Sequence, residues 1–194
     1  MAYDGIEVEI KLPATSAVAQ SLIARLSAAG SSEVHQLDEY FDDPRESYLL
    51  REPIEQWLSV RNRDGRTIMN HKRFFFDDRG RATHNQESEV LADTVDTAIG
   101  LLVSLGYTPL VTVEKRRVEG IVDGYQLSVD DVPGLGHFVE IEAVRAEGNV
   151  VETRAALEEY ARSLGLDPST EDLRGYPYLL LARLGKIQTS ELEP

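Results

Sequence analysis

The chain has no cysteine among its 194 residues. That excludes disulfides, thiolate metal centres and a cysteine nucleophile. Positive charge is scarce: 20 Lys and Arg stand against 34 Asp and Glu, for a net charge of −14. Such a balance opposes long-range attraction to polyanions, so neither nucleic acid nor a membrane surface is expected as a partner. Long apolar runs are missing too. The longest, Tyr178 to Ala182, is far too short to span a bilayer, and the opening MAYDGIEVEI lacks the basic and apolar regions of a secretion signal. A cytoplasmic protein is expected. There is also no Pro/Gly/Ser-rich linker and no low-complexity run. One domain over residues 1–185 is expected, followed by a polar tail at 186–194.

What the chain does have is strict alternation near its start. In IEVEIKL, Ile6, Val8, Ile10 and Leu12 alternate with Glu7, Glu9 and Lys11. A period of two reads as a strand with one apolar face, which puts two carboxylates and an ammonium on the other. Same-face neighbours on a strand lie roughly 7 Å apart, so the carboxylates repel unless solvent, a base or a cation stands between them. An isolated strand of this kind is equally what a wet sheet face looks like.

Helical spacing predicts helices over Ser16 to Ala29, with a serine N-cap and Gly30 as its stop, and over Val95 to Leu105, stopped by Gly106. Two further helices are expected near Val150 to Leu164 and Leu173 to Leu184. Strands are expected at Val34 to Asp42, Trp57 to Asn62, Ile68 to Phe76, Glu87 to Leu91, Thr108 to Val118, Ile121 to Asp130 and Phe138 to Val144. The order strand, helix, glycine, two strands occurs twice, from Glu7-Val-Glu9 and again from Glu87-Ser-Glu89, which points to two similar halves. About eight strands with several faces too charged for a core predict an α+β fold: an antiparallel eight-stranded closed or nearly closed β-barrel, charged inside, with flanking helices.

A second pair of carboxylates, Glu140 and Glu142, alternates with Val139 and Ile141 after the turn that follows Asp130. Two separate pairs of hard oxygen donors suit Mg²⁺ or Mn²⁺ better than zinc. Lys115 and Arg117 share a strand face with Val111 and Val113, while Arg116 points away to the surface. Arg61 lies on one face with Ser59 and Arg63, and Lys72 with Asn70 and Phe74. Arginine forks and lysine point charges together are what polyphosphate recognition uses, whereas each residue alone could equally serve a surface ion pair. His35, His71, His84 and His137 share no metal-binding spacing and read as ordinary polar residues. Trp57 reads as a core or rim aromatic, with stacking on a base as the alternative, and Tyr40 and Phe41 as packing in the barrel wall.

The ordered set EVEIK (Glu7, Glu9, Lys11), YFDDP (Tyr40 to Pro44), LSVR (Leu58 to Arg61), the lysine strand at Lys72, ESE (Glu87 to Glu89), EKRR (Glu114 to Arg117) and LSVDDVPGLGHFVEIE (Leu127 to Glu142) resembles the CYTH superfamily. Within it the chain is most similar to class IV (CyaB-type) adenylate cyclases, and LRGYPYLLL around Tyr176 resembles that group's C-terminal end. The resemblance implies a tunnel that binds a triphosphate with divalent metal. By matching position, Glu7, Glu9, Glu140 and Glu142 would hold Mg²⁺ or Mn²⁺, with Glu87 and Glu89 contributing. Lys11, Arg61, Lys72, Lys115 and Arg117 would hold the phosphates, with Asp130 beside them as a ligand or orienting group. The implied reaction is ATP to cyclic AMP and pyrophosphate. Its rivals are hydrolysis of inorganic, thiamine or nucleoside triphosphate, and non-catalytic binding of nucleotide or polyphosphate. A homodimer is also implied. The chain departs from the family pattern at Ser59, Arg73-Phe74 and Asn85-Gln86, positions that bear on substrate.

Overall fold

Alternation at the start of the chain does what it predicts. Val8, Ile10 and Leu12 are 0–1% exposed on one face, and Glu7, Glu9 and Lys11 take the other. The structure is a computed structural model and describes residues 6–80, 82–144 and 149–187. Most of the expected polar tail therefore lies outside the described residues.

The strands are β1 (Ile6–Glu7), β2 (Glu9–Ala14), β3 (Ser32–Asp42), β4 (Gln56–Arg63), β5 (Arg66–Phe76), β6 (Ala82–Ala92), β7 (Thr108–Val122), β8 (Tyr125–Val132) and β9 (Gly136–Ala143). The helices are α1 (Ser16–Ala29), α2 (Val95–Ser104), α3 (Val150–Ser163) and α4 (Gly175–Arg183). All strands belong to one antiparallel sheet in the order β1-β6-β5-β4-β3-β7-β8-β9-β2. With β1 and β2 taken as one strand interrupted at Val8, the sheet has eight strands. The two halves expected from the sequence are visible in the pairing: β3 and β7 meet at the centre, β3-β4-β5 and β7-β8-β9 are meanders, and each half's opening strand pairs with the other half's last strand.

The closed or nearly closed barrel is corrected to an open, strongly curled sheet. Its seam falls on the first strand, where Ile6 and Glu7 pair with β6 while Glu9 to Ala14 pair with β9. No single level of that strand is bonded on both sides.

Three smaller expectations also change. The N-cap of α1 is Thr15, whose Oγ1 accepts from the Val18 amide at 3.3 Å, and Ser16 is already inside the helix. The two strands expected at Thr108 to Val118 and Ile121 to Asp130 divide elsewhere: β7 runs on to Val122, and the reversal falls at Asp123-Gly124, where both residues have positive φ. A Cβ on Gly120 would stand 3.4 Å from Leu26 Cδ2, in ordinary contact with α1, which packs on this part of β7. Finally, not every helix lies outside. The convex side of the sheet buries Leu22 and Leu26 of α1 and Leu157 and Ala161 of α3 against Ile10, Leu127, Val139 and Ile141, and α2 packs Ala98 and Leu102 on Phe41 and Val60. By contrast α4 sets Tyr176 and Leu180 against Val113, Val132 and Phe138 on the concave side, because the inward positions of β7 to β9 are apolar at that end. It thereby covers one end of the concave face.

Among the described residues no helix is long and apolar enough to cross a membrane. The convex core carries the fold's stability. Leu26, 0% exposed where α1 meets the sheet, is expected to cost about 2–5 kcal/mol on truncation to alanine, measured by urea unfolding. A loss below about 1 kcal/mol would contradict the packing described.

Candidate functional site

Period-two alternation puts the polar positions of seven strands onto the concave face, where they line one cavity of about 420 Å³. Its wall holds seven carboxylates, Glu7, Glu9, Asp38, Glu87, Glu89, Glu140 and Glu142, and six cations, Lys11, Arg61, Arg63, Lys72, Lys115 and Arg117. The sequence-predicted set is thus brought together in one place, with one exception. Asp130 does not line the cavity; it is 1% exposed behind the wall.

The ladder register explains how so many charges coexist. Lys11 lies opposite Glu140, Lys72 opposite Glu87, Asp38 opposite Arg61, and Arg117 opposite Asp130. Directly opposed residues have Cβ atoms about 4.5–5.5 Å apart, within reach of an ion pair. Lys11 Nζ is 3.2 Å from Glu140 Oε2, and Lys72 Nζ is 2.9 Å from Glu87 Oε1 and 2.5 Å from Glu9 Oε1. Arg61 donates to Asp38 at 3.2 Å and to Glu89 at 3.1 Å, with Glu89 at the exposed rim. Arg117 forks onto both oxygens of Asp130 at 2.7 and 2.8 Å and reaches Glu140 at 3.2 and 3.3 Å.

Two carboxylates also oppose each other: Glu9 faces Glu142 across the β2-β9 ladder. Burial, then Glu9 and Glu140, push the Glu142 carboxyl up to about 7. Burial, then Glu87, push Glu7 up to about 8. Neither residue has an ion pair among the described residues. Lys115 is depressed to about 8 by burial and by the neighbouring Arg117. Asp130 is held well below the usual carboxylate range, since Arg117 and Lys115 outweigh its burial.

Several lining residues escaped sequence reasoning. Asp38 shares its strand face with Gln36, whose amide donates to both Asp38 oxygens at 3.0 and 2.8 Å. Tyr40 is corrected from wall packing to cavity lining, edge-on to Trp57 with ring centroids 5.8 Å apart. Phe41, by contrast, is fully buried under α2, as expected. Tyr176 donates its hydroxyl to Asp130 Oδ2 at 2.8 Å, while its ring lies 4.6 Å from Lys11 Nζ and 5.4 Å from Lys115 Nζ. The turn before it depends on Gly175, with φ +81° and a virtual Cβ 3.2 Å from Trp57 Nε1. Trp57 in turn donates to the Arg174 carbonyl at 3.0 Å. The only sequence signal for this group is the LRGYPYLLL motif. The histidines stay outside the cavity wall, and Arg116 is exposed, both as expected. Where the family pattern departs, Ser59 and Asn85 are buried, and Asn85 Oδ1 has no hydrogen-bond partner among the described residues.

A curled antiparallel sheet with helices on its convex side and a concave face of paired acids and bases defines the class of protein. The chain matches the CYTH domain over residues 5–176 and belongs to the CYTH family. No curated protein matches its sequence. Among solved structures, the PH1819 protein of Pyrococcus horikoshii OT3 is 26% identical with a TM-score of 0.73, over 91% of this chain and 99% of that one. A proposed adenylate cyclase from Vibrio parahaemolyticus is 18% identical with a TM-score of 0.68, over 90% and 97%. HpAC1 of Hippeastrum, a proposed adenylyl cyclase with a dominant triphosphatase activity, is 18% identical with a TM-score of 0.61, over 94% and 97%.

The raised carboxyls give a stability test. With a folded-state pKa near 8 against an ordinary 4.5, Glu7 retains a proton in the folded chain that the unfolded chain releases. Its contribution is therefore most favourable below pH 4.5 and is lost as pH rises through about 8. In EDTA above pH 8, Glu7→Gln is expected to melt higher than the unsubstituted protein, and the gap to close on acidification. A lower melting temperature for the variant at high pH would contradict the assignment.

Proposed function

We propose that the protein is a divalent-metal-dependent enzyme acting on a triphosphate held in the concave cavity. The observation that carries this reading is the convergence of Lys11, Arg61, Lys72, Lys115 and Arg117 with four carboxylates from the first and last strands in sequence, Glu7, Glu9, Glu140 and Glu142, in one cavity. Cyclisation of ATP is the first reading, in keeping with the neighbour described as a proposed adenylate cyclase.

The donor set fits Mg²⁺ or Mn²⁺. No three carboxylates already converge on one point among the described residues. However, Glu7, Glu9, Glu87 and Glu142 crowd the seam strongly enough to raise two of their number, and hard oxygen donors in excess of nearby base are what these ions take. Glu7, Glu9, Glu140 and Glu142 would hold the metal, with Glu87 and Glu89 beside them. Bound there, it would neutralise phosphate oxygens and lower the pKa of the attacking hydroxyl.

The remaining work falls to the chain. Arg117 and Arg61 supply planar forks, and Lys11, Lys72 and Lys115 point charges, for the non-bridging and leaving oxygens. Asp130 acts through Arg117, Lys115 and Tyr176 and is a positioning residue. In the cyclase the ribose 3′-hydroxyl attacks the α-phosphorus in line, its proton passing to solvent, and the bond from the α-phosphorus to the bridging oxygen breaks to release pyrophosphate. No side-chain nucleophile takes part.

A second reading, hydrolysis of a triphosphate to release orthophosphate, is favoured by one observation. Trp57, the aromatic best suited to stack on a base, is 4% exposed and committed to Tyr40 and the Arg174 carbonyl. The HpAC1 neighbour's dominant triphosphatase activity is in keeping with it.

Incubation with ATP, and separately with inorganic triphosphate, in Mg²⁺ or Mn²⁺ distinguishes the two. Cyclic AMP with pyrophosphate is expected from the first, orthophosphate alone from the second, and no product from either substrate would contradict both. Glu9→Gln and Glu140→Gln are each expected to lower metal-dependent turnover by about 100-fold or more with far-UV circular dichroism unchanged; full activity in both would overturn the metal assignment. Triphosphate affinity is further expected to weaken as pH rises through about 8, where Lys115 loses its proton. The pH dependence should flatten in Lys115→Met, and an identical profile in that variant would remove Lys115 from the site.

A further inference from the structure

The cavity treats its cations in two different ways. Arg117 is clamped by Asp130, a carboxylate behind the wall and 1% exposed, which stays in place whatever enters the cavity. Lys72 has no such partner. Its ammonium lies between Glu9 Oε1 at 2.5 Å and Glu87 Oε1 at 2.9 Å, all three side chains being 12–16% exposed. The other oxygen of Glu87 is taken by the Asn70 amide at 2.7 Å. Two of the three donors of the lysine are thereby directed at carboxylates that themselves face the cavity.

We propose that Glu9 and Glu87 latch Lys72 in the metal-free protein, so that a divalent cation and a polyphosphate bind with positive coupling. This rests on the triphosphate reading above. A polyphosphate entering alone must draw Lys72 away and leave two part-buried carboxylates without their cation, beside Glu142, which already opposes Glu9. A cation accepted by Glu9 takes over the neutralisation that Lys72 supplied, and the ammonium is released to the phosphate. The reverse holds by linkage: a phosphate that holds Lys72 leaves Glu9 and Glu87 free for the cation. The latch keeps the cavity closed to phosphate when metal is absent.

Removing carboxylates from a cavity favours any anion, so the test compares, well above pH 8 where Glu7 and Glu142 are also ionised, two double variants that remove the same charge. Glu9→Gln/Glu87→Gln takes away both partners of Lys72. Glu7→Gln/Glu142→Gln takes away two carboxylates that have no ion pair among the described residues. Inorganic tripolyphosphate is titrated calorimetrically into each variant and into the unsubstituted protein, in EDTA and in Mg²⁺, with melting curves establishing that each is folded.

In EDTA, Glu9→Gln/Glu87→Gln is expected to bind tripolyphosphate about tenfold more tightly than the unsubstituted protein and more tightly than Glu7→Gln/Glu142→Gln, and to lose most of the gain that Mg²⁺ gives the unsubstituted protein. Equal gains in the two variants would reduce the effect to net charge and overturn the latch. So would no gain in either, or a variant of the latch pair that fails to fold while the control pair folds, since that would make the pair structural. Absence of tripolyphosphate binding by all three proteins, with and without Mg²⁺, would overturn the triphosphate reading and the latch with it.

Discussion

Thirteen ionisable side chains on the inner face of one sheet can be buried only if their charges are matched, and the rest of the structure depends on that matching. It is achieved by register rather than by long side chains searching for partners. Four opposed pairs, Lys11 with Glu140, Lys72 with Glu87, Arg61 with Asp38 and Arg117 with Asp130, place a base against an acid, whereas Glu9 meets Glu142. Breaking a partly buried pair by removing one partner leaves an uncompensated charge and costs far more than forming the pair gains. The matching therefore fixes the register as firmly as the convex core does, because a slip of one residue would turn every charge into the apolar side.

The exception is as informative as the rule. Glu7, Glu9 and Glu142 gather where the first strand passes from pairing with β6 to pairing with β9. The mismatch in charge thus coincides with the break in hydrogen bonding. A sheet optimised for stability alone would place a base there. Excess carboxylate at that spot is a local cost that makes sense if something cationic joins it, and the raised carboxyls of Glu7 and Glu142 are the electrostatic form of that cost. At the other end of the concave face α4 supplies Tyr176, which supports Lys11 and Lys115 by its ring and Asp130 by its hydroxyl.

Much of this was legible in the chain. Period two in IEVEIKL, VTVEKR and HFVEIE identified which charges share a face, because side-chain direction in a strand follows from backbone geometry alone. Lys115, Arg117, Glu140 and Glu142 lie in the cavity for that reason, and Arg116 does not. What sequence could not supply was pairing. Nothing local marks Asp130 as the residue behind Arg117, or places Glu9 beside Lys72, since both contacts cross between strands. The expected boundary between β7 and β8 falls several residues early because apolar and polar positions do not alternate regularly from Val118 to Val122, where β7 ends. Tyr176 and the inward placement of α4 escaped because apolar positions on a helix do not state which side of a sheet they will cover.

The central claim is that the concave face holds a divalent cation on its carboxylates and a triphosphate on its lysines and arginines at the same time. The most direct measurement is a crystal structure of the protein with Mn²⁺ and a non-hydrolysable triphosphate analogue, with manganese located by its anomalous scattering. The account predicts manganese against Glu7, Glu9, Glu140 or Glu142, with phosphate oxygens on Lys11, Lys72, Lys115 and Arg117. Manganese and analogue both bound away from the concave face, or an analogue in the cavity with no manganese beside it, would contradict it.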